Sequence, residues 1–346
     1  MNDKELIGKL RGKFSICALN VELTNICNLR CPLCVTGAGQ NKTRQGLMDL
    51  GKFKKFMDRC APLFDRVDFI GTGEPQINPL FLNFVEYVAR EKNIRVNCCT
   101  NGEIMKDPEA IVNSGLNTIF IDVDGLNPEQ HGIYRVGSNL EHVLENVKRL
   151  IEAKNKLYSY FPKIVIDTLI TRHNENDYKR FISLARKLGA NGIRFRSIHN
   201  TVSSDPDWLP TLPQYQNVKI DKPAECVFQE HITGLLSWNG DLHLCCMTSY
   251  HENGLTKFNA FEENKLLERM NSDNFYKITK SAGNHAFCRD CVFVNYELFG
   301  ENIEFNKPLE RTWHYWWGKY GRNPKRLGKA LSEKAKNLYN RLNIRH

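Results

Sequence analysis

The chain lacks the long apolar runs that membrane insertion or export would require. No stretch approaches the roughly 18 consecutive apolar residues of a membrane-spanning helix. The N-terminal segment MNDKELIGKLRGKF is interrupted by charged residues and has no apolar core of the kind found in signal peptides. These absences predict a cytoplasmic protein.

The chain also has no acidic excess, and its basic excess is local. The net charge is +9 over 346 residues, but residues 319–346 alone hold nine Lys or Arg against one Glu. The rest is therefore nearly neutral, and the basicity belongs to the C-terminal tail. A hydrophobic content of 41% and a charged content of 25% are ordinary for a soluble globular protein, and the length allows two domains.

Cysteine, by contrast, is abundant, with 12 residues. Without an export signal, this number favours metal binding in a reducing compartment over a disulfide framework. Cys27, Cys31 and Cys34 form a C-x3-C-x2-C motif directly after an apolar run. Three thiolates on a tight loop can hold three corners of a cubane iron–sulfur cluster and leave the fourth iron open to a cofactor. A zinc knuckle usually pairs C-x2-C with a second such element, so this spacing fits it poorly.

The motif resembles that of the radical S-adenosylmethionine (SAM) enzymes. The resemblance implies that the open iron of a [4Fe-4S] cluster chelates the amino and carboxylate groups of SAM. Electron transfer then breaks a C–S bond and yields a 5′-deoxyadenosyl radical. A reductant such as flavodoxin or ferredoxin is implied as a partner.

Between residues 16 and 198, short β-rich runs alternate with amphipathic helical stretches, which predicts an α/β fold with a parallel sheet. Six such units resemble the open (β/α)6 partial barrel of the same family, with the active site at the C-terminal ends of the strands. Strands are predicted at Ile16–Leu23, Arg66–Ile70, Ile94–Thr100, Thr118–Val123, Lys163–Ile170 and Gly192–Ile198, and helices at Asp49–Cys60, Pro79–Lys92, Pro108–Ser114, Ser138–Lys154 and Glu175–Leu188.

Two glycine-containing loops follow the second and third predicted strands. Residues 71–75, Gly-Thr-Gly-Glu-Pro, resemble the family's GGEP motif, which receives the amino group of SAM. Glycine permits close backbone approach there, and a carboxylate complements an ammonium; an ordinary Gly-Pro turn is the alternative. Residues 100–102, Thr-Asn-Gly, are similar to the family's TNG turn. The resemblance implies cofactor contacts at Gly71, Gly73, Glu74, Pro75 and Asn101.

Charged residues follow the fourth predicted strand. The segment containing Asp122 and Asp124 resembles the family's S-x-D-G strand ending, where carboxylates accept hydrogen bonds from ribose hydroxyls. Arg135 lies in a Y-R-x-G segment and is implied to pair with the SAM carboxylate, the alternative being a solvated arginine at a helix entry. The chain departs from the family at Thr72, where glycine is usual, and at Leu33, where an aromatic residue commonly packs against adenine.

A second cysteine set lies beyond residue 225. Cys226, Gly240 and Cys245 are spaced C-x13-G-x4-C, and Cys288-x2-Cys291 follows. This layout resembles the SPASM or twitch extension of radical SAM enzymes, which implies one auxiliary [4Fe-4S] cluster with four protein ligands, since no cysteine follows Cys291. A structural zinc ion is the alternative for four thiolates.

The Asn-Gly pair before Cys245 predicts a hairpin with a type I′ turn. That turn would place Leu235 and Leu242 on one face and Leu236 and His243 on the other. Cys246 would then be a buried thiol, or a hydrogen-atom donor to a substrate radical. The cysteines predicted to lie in the core are Cys17, Cys60, Cys98 and Cys99.

The predicted domains are an N-terminal segment (1–15), a partial barrel (16–198), a linker (199–225), an auxiliary-cluster domain (226–300) and a tail (301–346). The tail combines the aromatic run Trp-His-Tyr-Trp-Trp at 313–317 with a basic amphipathic helix. Three interpretations stay open: packing on the barrel, peripheral contact with an anionic membrane at its inner face, and, least favoured, nucleic-acid binding.

The resemblance thus predicts a radical SAM enzyme that abstracts hydrogen from a C–H bond. Relatives with this extension act on peptides or on small alcohols such as aminocyclitols. Because the first strand starts near residue 16, we expect no separate peptide-binding domain, which favours oxidation or epimerisation of a sugar-like, aminocyclitol or lipid-linked small molecule. A peptide-modifying maturase and a non-catalytic iron–sulfur or zinc protein are the alternatives.

Overall fold

The computed structural model describes residues 2–13, 16–198, 206–219, 231–243, 257–262, 266–272, 277, 296–297 and 299–305. The helices are α1 (Asp3–Lys13), α2 (Leu50–Cys60), α3 (Phe81–Glu86), α4 (Pro108–Asn113), α5 (Pro128–Tyr134), α6 (Leu140–Lys156), α7 (Tyr178–Leu188) and α8 (Leu266–Met270). The strands are β1 (Ile16–Val21), β2 (Arg66–Phe69), β3 (Arg95–Thr100), β4 (Thr118–Asp122), β5 (Lys163–Ile170), β6 (Gly192–Ser197), β7 (Val218–Lys219), β8 (His231–Leu236), β9 (Asp241–His243), β10 (Lys257–Asn259), β11 (Tyr296–Glu297) and β12 (Gly300–Glu304).

Strands β1 to β6 form one parallel sheet in chain order, and helices connect successive strands. The predicted open α/β partial barrel is confirmed, and within the described residues the sheet does not close on itself. Each predicted strand of this region is present within two residues of its expected ends. Because parallel strands share one direction, the loops after β1 to β6 all lie at the same edge of the sheet.

Alternation along each strand gives the sheet two different faces. On the outer face, apolar side chains such as Val67, Ile119 and Ile164 are fully buried under the helices. Three rings, Phe53 of α2, Phe69 of β2 and Phe84 of α3, pack there with centroids 5.2 to 6.5 Å apart. The inner face carries polar side chains, and it bounds a lumen.

The C-terminal part of the chain extends both edges of this sheet. Strand β8 pairs in parallel with β1, and β9 and β10 follow antiparallel beyond it. Strand β12 pairs antiparallel with β6 at the opposite edge, and all of it except Gly300 falls in the predicted tail. Both edges of the six-stranded core are therefore covered, which protects them from pairing with other chains.

Three of the described helices were not predicted: α1, α5 and the short α8. Helix α1 buries Leu6, Ile7 and Leu10 in the main core. Helix α5 begins after Asn127, whose side chain accepts a hydrogen bond from the backbone N–H of Gln130. None of the helices in the described part of the chain has the length and apolar character that crossing a membrane demands.

Candidate active site

A cavity of about 330 Å³ opens at the C-terminal ends of the strands. Its wall is built by the loops after β1, β2 and β3, by the C-terminal parts of β3, β4, β5 and β6, and by the end of α5. Most of the predicted cofactor-binding residues share this wall. They are Cys27, Cys31, Cys34, Gly71, Gly73, Glu74, Asn101, Asp122 and Arg135. Three residues that were not predicted to bind the cofactor, Leu29, Thr72 and Tyr134, border the cavity as well.

The three cysteines of the loop after β1 all border the cavity. Cys31 is buried, with 6% of its surface exposed, and Cys27 and Cys34 are half-buried. The sulfur of Cys27 lies 3.5 Å from the backbone nitrogen of Leu29 and 3.9 Å from the side-chain nitrogen of Asn101, and both groups donate to it. Such N–H donors favour a charged sulfur, because they compensate part of its negative charge.

Burial raises the pKa of the Cys27 thiol and raises that of Cys31 to about 12. These two thiols are therefore protonated in the metal-free protein, and a metal centre would have to displace their protons. Among the described residues, no group of three His, Cys, Asp or Glu side chains closes around a single metal ion.

Glu74 presents a buried carboxylate at the cavity wall. Its Oε1 accepts hydrogen bonds from the backbone of Gln76 (3.1 Å) and the hydroxyl of Thr100 (2.8 Å), and its Oε2 accepts one from the backbone of Asn101 (2.8 Å). Burial nevertheless raises the pKa of Glu74 to about 7. The carboxylate is thus fixed in orientation and has no cationic partner among the residues that the structure describes, which suits it to bind an ammonium group.

The loop that carries Glu74 needs glycine for close packing. A Cβ on Gly73 would lie 2.3 Å from the carbonyl oxygen of Thr24, so no other residue fits without moving the cysteine loop. Thr72, which departs from the family's usual glycine, is accommodated by Glu22. The carboxylate of Glu22 accepts from the Thr72 backbone N–H (2.9 Å) and from its hydroxyl (2.7 Å). The departure therefore anchors the loop to the end of β1.

Arg135 enters the cavity wall already paired with two aspartates. Its Nη1 lies 3.0 Å from Asp122 and its Nε donates to Asp124 at 2.6 Å. Its side chain is 12% exposed, which excludes the alternative of a solvated helix-entry arginine. Two predicted residues, Asp124 and Pro75, do not border the cavity. Asp124 holds the guanidinium group of Arg135, which does border it, and Pro75 is the first residue of the turn Pro75–Ile77.

Burial raises the pKa of Asp122 to about 6, although the neighbouring guanidinium groups act in the opposite direction. Asp122 therefore becomes ionised within the physiological pH range, and the ionised carboxylate can accept hydrogen bonds on both oxygens.

Sequence reasoning missed a cluster on β5 and β6. Asp167 is fully buried, and its carboxylate pairs with Arg194 (2.5 Å) and Arg196 (2.8 Å). Arg196 also lies 3.7 Å from Asp122 and borders the cavity. The available signal was the alternation of arginine and apolar residues in Gly192–Ser197, which marks the polar face of a strand.

The prediction that all four remaining N-terminal cysteines lie in the core was wrong for Cys99. Cys60 and Cys98 do belong to the buried core, and the Cys17 side chain lies outside the described residues. Cys99 instead faces the lumen, where it borders the cavity and lies 3.7 Å from a guanidinium nitrogen of Arg194. Adjacent strand residues face opposite sides, so Cys98 and Cys99 could not both be in the core.

Leu33, the second departure from the family, lies in a small apolar cluster beside the cavity. It is 5% exposed and packs with Leu169 and Ile198, which both border the cavity. Tyr134 and Trp208 pack against this cluster with ring centroids 5.6 Å apart. An apolar wall is thus present although no aromatic residue occupies position 33.

The predicted auxiliary ligands Cys226, Cys245, Cys288 and Cys291, the predicted hydrogen donor Cys246 and the tail beyond residue 305 lie outside the described residues. The hairpin between β8 and β9 is present, but the predicted type I′ turn is wrong. Only Gly240 has a positive φ, +92°, whereas a type I′ turn needs two such residues. The register consequently pairs Leu236 with Leu242 and Leu235 with His243, one residue away from the prediction.

A family model described as the radical SAM superfamily matches residues 21–185, and one described as an iron–sulfur cluster-binding domain matches residues 226–292. Together they confirm the predicted cofactors: an iron–sulfur cluster with SAM and an auxiliary iron–sulfur cluster.

Two curated relatives are each 23% identical. The tungsten-containing aldehyde ferredoxin oxidoreductase cofactor-modifying protein of Pyrococcus furiosus aligns over 66% of this chain and 70% of its own length. The GTP 3′,8-cyclase of Petrotoga mobilis aligns over 60% of this chain and 64% of its own length. Among solved structures, SuiB of Streptococcus suis bound to SAM superposes with a TM-score of 0.63 at 15% identity, covering 80% of this chain and 71% of that one. This structural likeness shows a shared fold.

Proposed function

The chain belongs to the radical SAM superfamily, and from that premise we propose that Cys27, Cys31 and Cys34 ligate the cluster at which SAM binds. The observation that carries this proposal is that the three cysteines and Glu74 border one cavity. When bound, the cluster and SAM supply a 5′-deoxyadenosyl radical, which removes a hydrogen atom from a substrate C–H bond. The protein binds and orients the reactants and excludes water.

Glu74 is proposed to receive the amino group of SAM. Its carboxylate accepts three hydrogen bonds from protein groups and has no cationic partner among the described residues. Gly71 and Gly73 are proposed to let the backbone approach the cofactor, and Asn101 to hold the sulfur of Cys27.

The remaining cofactor contacts involve the aspartate and arginine pairs. Asp122 is proposed to accept hydrogen bonds from the ribose hydroxyls, and Arg135 to face the SAM carboxylate while Asp124 holds its guanidinium group. Since Arg135 already has two carboxylate partners, we expect it to orient the cofactor more than to attract it by net charge.

For the second domain we propose that Cys226, Cys245, Cys288 and Cys291 ligate one auxiliary [4Fe-4S] cluster. That cluster would accept an electron from the substrate radical or supply one, which decides whether the reaction is a net oxidation. Cys246 is proposed as a hydrogen donor only for an epimerisation. Cys246→Ala with unchanged product and iron content would exclude this role.

We propose a sugar-like, aminocyclitol or lipid-linked small molecule as the substrate. The lumen below the cavity is lined by polar side chains, which supports a polar substrate. A flavodoxin or ferredoxin would supply the electron. For the basic tail, packing on the barrel is the first proposal and contact with an anionic membrane surface the second. Liposome co-sedimentation of the full chain against one ending at Lys307 separates the two, and equal pelleting contradicts membrane contact.

The test of the proposed function is anaerobic reconstitution with iron and sulfide, followed by addition of SAM and dithionite. We expect 5′-deoxyadenosine from the native chain and none from a variant in which Cys27, Cys31 and Cys34 are all alanine. Zinc in place of iron at this motif, or iron without 5′-deoxyadenosine, would contradict the proposal.

A further inference from the structure

A second cavity of about 220 Å³ lies deeper in the lumen, between β1, β2, β3, β4 and β6. Ile70 and Cys99 border both this cavity and the one at the strand ends, so the two are neighbours. None of the roles proposed above uses its other lining residues. We call it the lumen cavity, and the residues used below are Asn20, Asp68, Asn97, Phe120 and Arg194.

The cations around the lumen are neutralised by protein carboxylates. Each of the four guanidinium groups lies within 2.8 Å of an aspartate oxygen, and Asp122 supplies a further carboxylate at 3.0 Å from Arg135 and 3.7 Å from Arg196. A phosphate group would have to displace one of these carboxylates or enter beside it, which like-charge repulsion disfavours. The pairs are Arg66–Asp68, Arg135–Asp124, Arg194–Asp167 and Arg196–Asp167.

Neutral hydrogen-bonding groups, in contrast, are available. The side-chain amide of Asn20 faces the lumen cavity and makes no hydrogen bond to any described residue. The side-chain nitrogen of Asn97, Nδ2, donates to Asp68 at 2.8 Å, and its side-chain oxygen, Oδ1, accepts from no group in the described part of the chain. An amide offers both a donor and an acceptor, which is what a hydroxyl group needs.

One wall of the lumen cavity is formed by the Phe120 ring and the Arg194 guanidinium stacked against it. The Arg194 guanidinium lies 3.8 Å from the centroid of the Phe120 ring, and this stacking, together with Asp167, fixes both side chains. A cavity of 220 Å³ is below the usual volume for a drug-sized ligand and fits a single ring or a short chain. The site therefore combines a rigid wall with neutral polar groups at the scale of one sugar ring.

We propose that the lumen cavity binds an uncharged, hydroxyl-bearing ring of the substrate and discriminates against phosphorylated or otherwise anionic groups. Asn20 and Asn97 hydrogen-bond the hydroxyls, and Asp68 holds Asn97 and Arg66 in place. The inference rests on the proposed function for the reaction that follows binding. It adds that the part of the substrate bound in the lumen cavity is a neutral polyol.

The test measures binding of a matched pair of probes, myo-inositol and myo-inositol 1-phosphate, by calorimetry on the cluster-loaded full chain under anaerobic conditions, with SAM present. Myo-inositol should bind at least about tenfold more tightly than its phosphate, because the phosphate meets no unpaired cation. Asn20→Leu should weaken myo-inositol binding about fivefold by removing its hydrogen bonds. Asn83→Leu, the same change on the exposed surface of α3, should leave it unaltered.

Asp68→Asn provides the second readout. It leaves Arg66 without its carboxylate, so the preference for myo-inositol over its phosphate should fall about tenfold. Equal or tighter binding of the phosphate by the native chain, an unchanged affinity in Asn20→Leu, or no binding of either probe at ~50 mM would overturn the inference. Formation of 5′-deoxyadenosine, measured in the same samples, tests the proposed function separately.

Discussion

The two faces of the parallel sheet differ in almost every physical property. The outer face is a continuous apolar layer, in which Val67, Ile119, Ile164 and Phe195 are fully buried beneath helices. The inner face is formed by their neighbours along the same strands, and it carries asparagines, aspartates, arginines and one accessible thiol. One-residue alternation therefore separates the groups that stabilise the fold from those that can perform chemistry.

This separation implies that substitutions on the two faces have different signatures. A change on the outer face removes packing and lowers the free energy of unfolding. A change on the inner face alters charge and binding, and it lowers stability only where it leaves a buried ion without its partner. Variants that violate this division would show that the two faces are coupled.

The largest expected effect comes from replacing a cysteine of the cavity wall with alanine and comparing it with the same change in the apolar core. Cys31→Ala should lower iron content and reduce 5′-deoxyadenosine formation to background, because it removes a proposed cluster ligand. Cys60→Ala is the matched control, since Cys60 is also buried but is the last residue of α2 and packs in the main core. The control should keep its iron and its activity while losing about 1–2 kcal/mol of stability. Iron analysis and urea unfolding measure both; full activity of Cys31→Ala would contradict the assignment.

Next in size is a truncation on the outer face. Phe69 is fully buried and contacts the rings of Phe53, Phe81 and Phe84. Phe69→Ala should lower the free energy of unfolding by about 3–5 kcal/mol, because it removes the ring and leaves a cavity. Iron bound per folded molecule should stay the same. Loss of iron with unchanged stability would mean that the outer face shapes the site directly.

Asp167→Asn tests a buried charge on the inner face. Asp167 is fully buried and pairs with both Arg194 and Arg196, so its loss leaves Arg194 without a carboxylate and Arg196 with only the more distant Asp122, at 3.7 Å. We expect a loss of about 3 kcal/mol in urea unfolding. Asp65→Asn is the control, because Asp65 pairs with Arg11 at the surface and should contribute at most about 1 kcal/mol. Equal effects of the two changes would contradict a special role for burial.

The sequence was sufficient for the framework because alternation and helical periodicity survive in single segments. Strand β5 was predicted at its observed bounds, and α2 within one residue, since Asp49 caps it as expected of an N-cap residue. The cavity wall followed from the rule that parallel strands end at the same edge.

The rest depended on contacts between distant segments. That Arg194 and Arg196 share one carboxylate requires the register of β5 against β6, which no local pattern specifies. Cys99 faces the lumen although its neighbour Cys98 is in the core, and the sequence of β3, with two adjacent cysteines, does not reveal which faces inward. The anchoring of Thr72 by Glu22 joins residues 50 positions apart.

The smallest expected effect is the pH dependence at Glu74. Burial raises the pKa of its carboxyl to about 7, against hydrogen bonds from Asn101, Thr100 and Gln76 that lower it. Only the ionised form attracts the ammonium group of SAM, so SAM affinity should rise roughly tenfold from pH 6 to pH 8. In the SAM-free protein, the free energy of unfolding changes with pH in the opposite direction. The native state holds this proton more tightly than the unfolded chain, so Glu74 contributes stability at acidic pH that is lost as the pH rises through about 7.

Glu74→Gln isolates this group, because glutamine keeps the side-chain shape and cannot titrate. Its SAM affinity should be low and nearly independent of pH, and the difference in unfolding free energy between the native chain and the variant should decrease from pH 5 to pH 8. Calorimetry on the anaerobic cluster-loaded protein measures the first, and urea unfolding measures the second. A native chain whose SAM affinity is flat over this range would show that the carboxylate is already ionised, and that the buried wall of the lumen is better solvated than its geometry indicates.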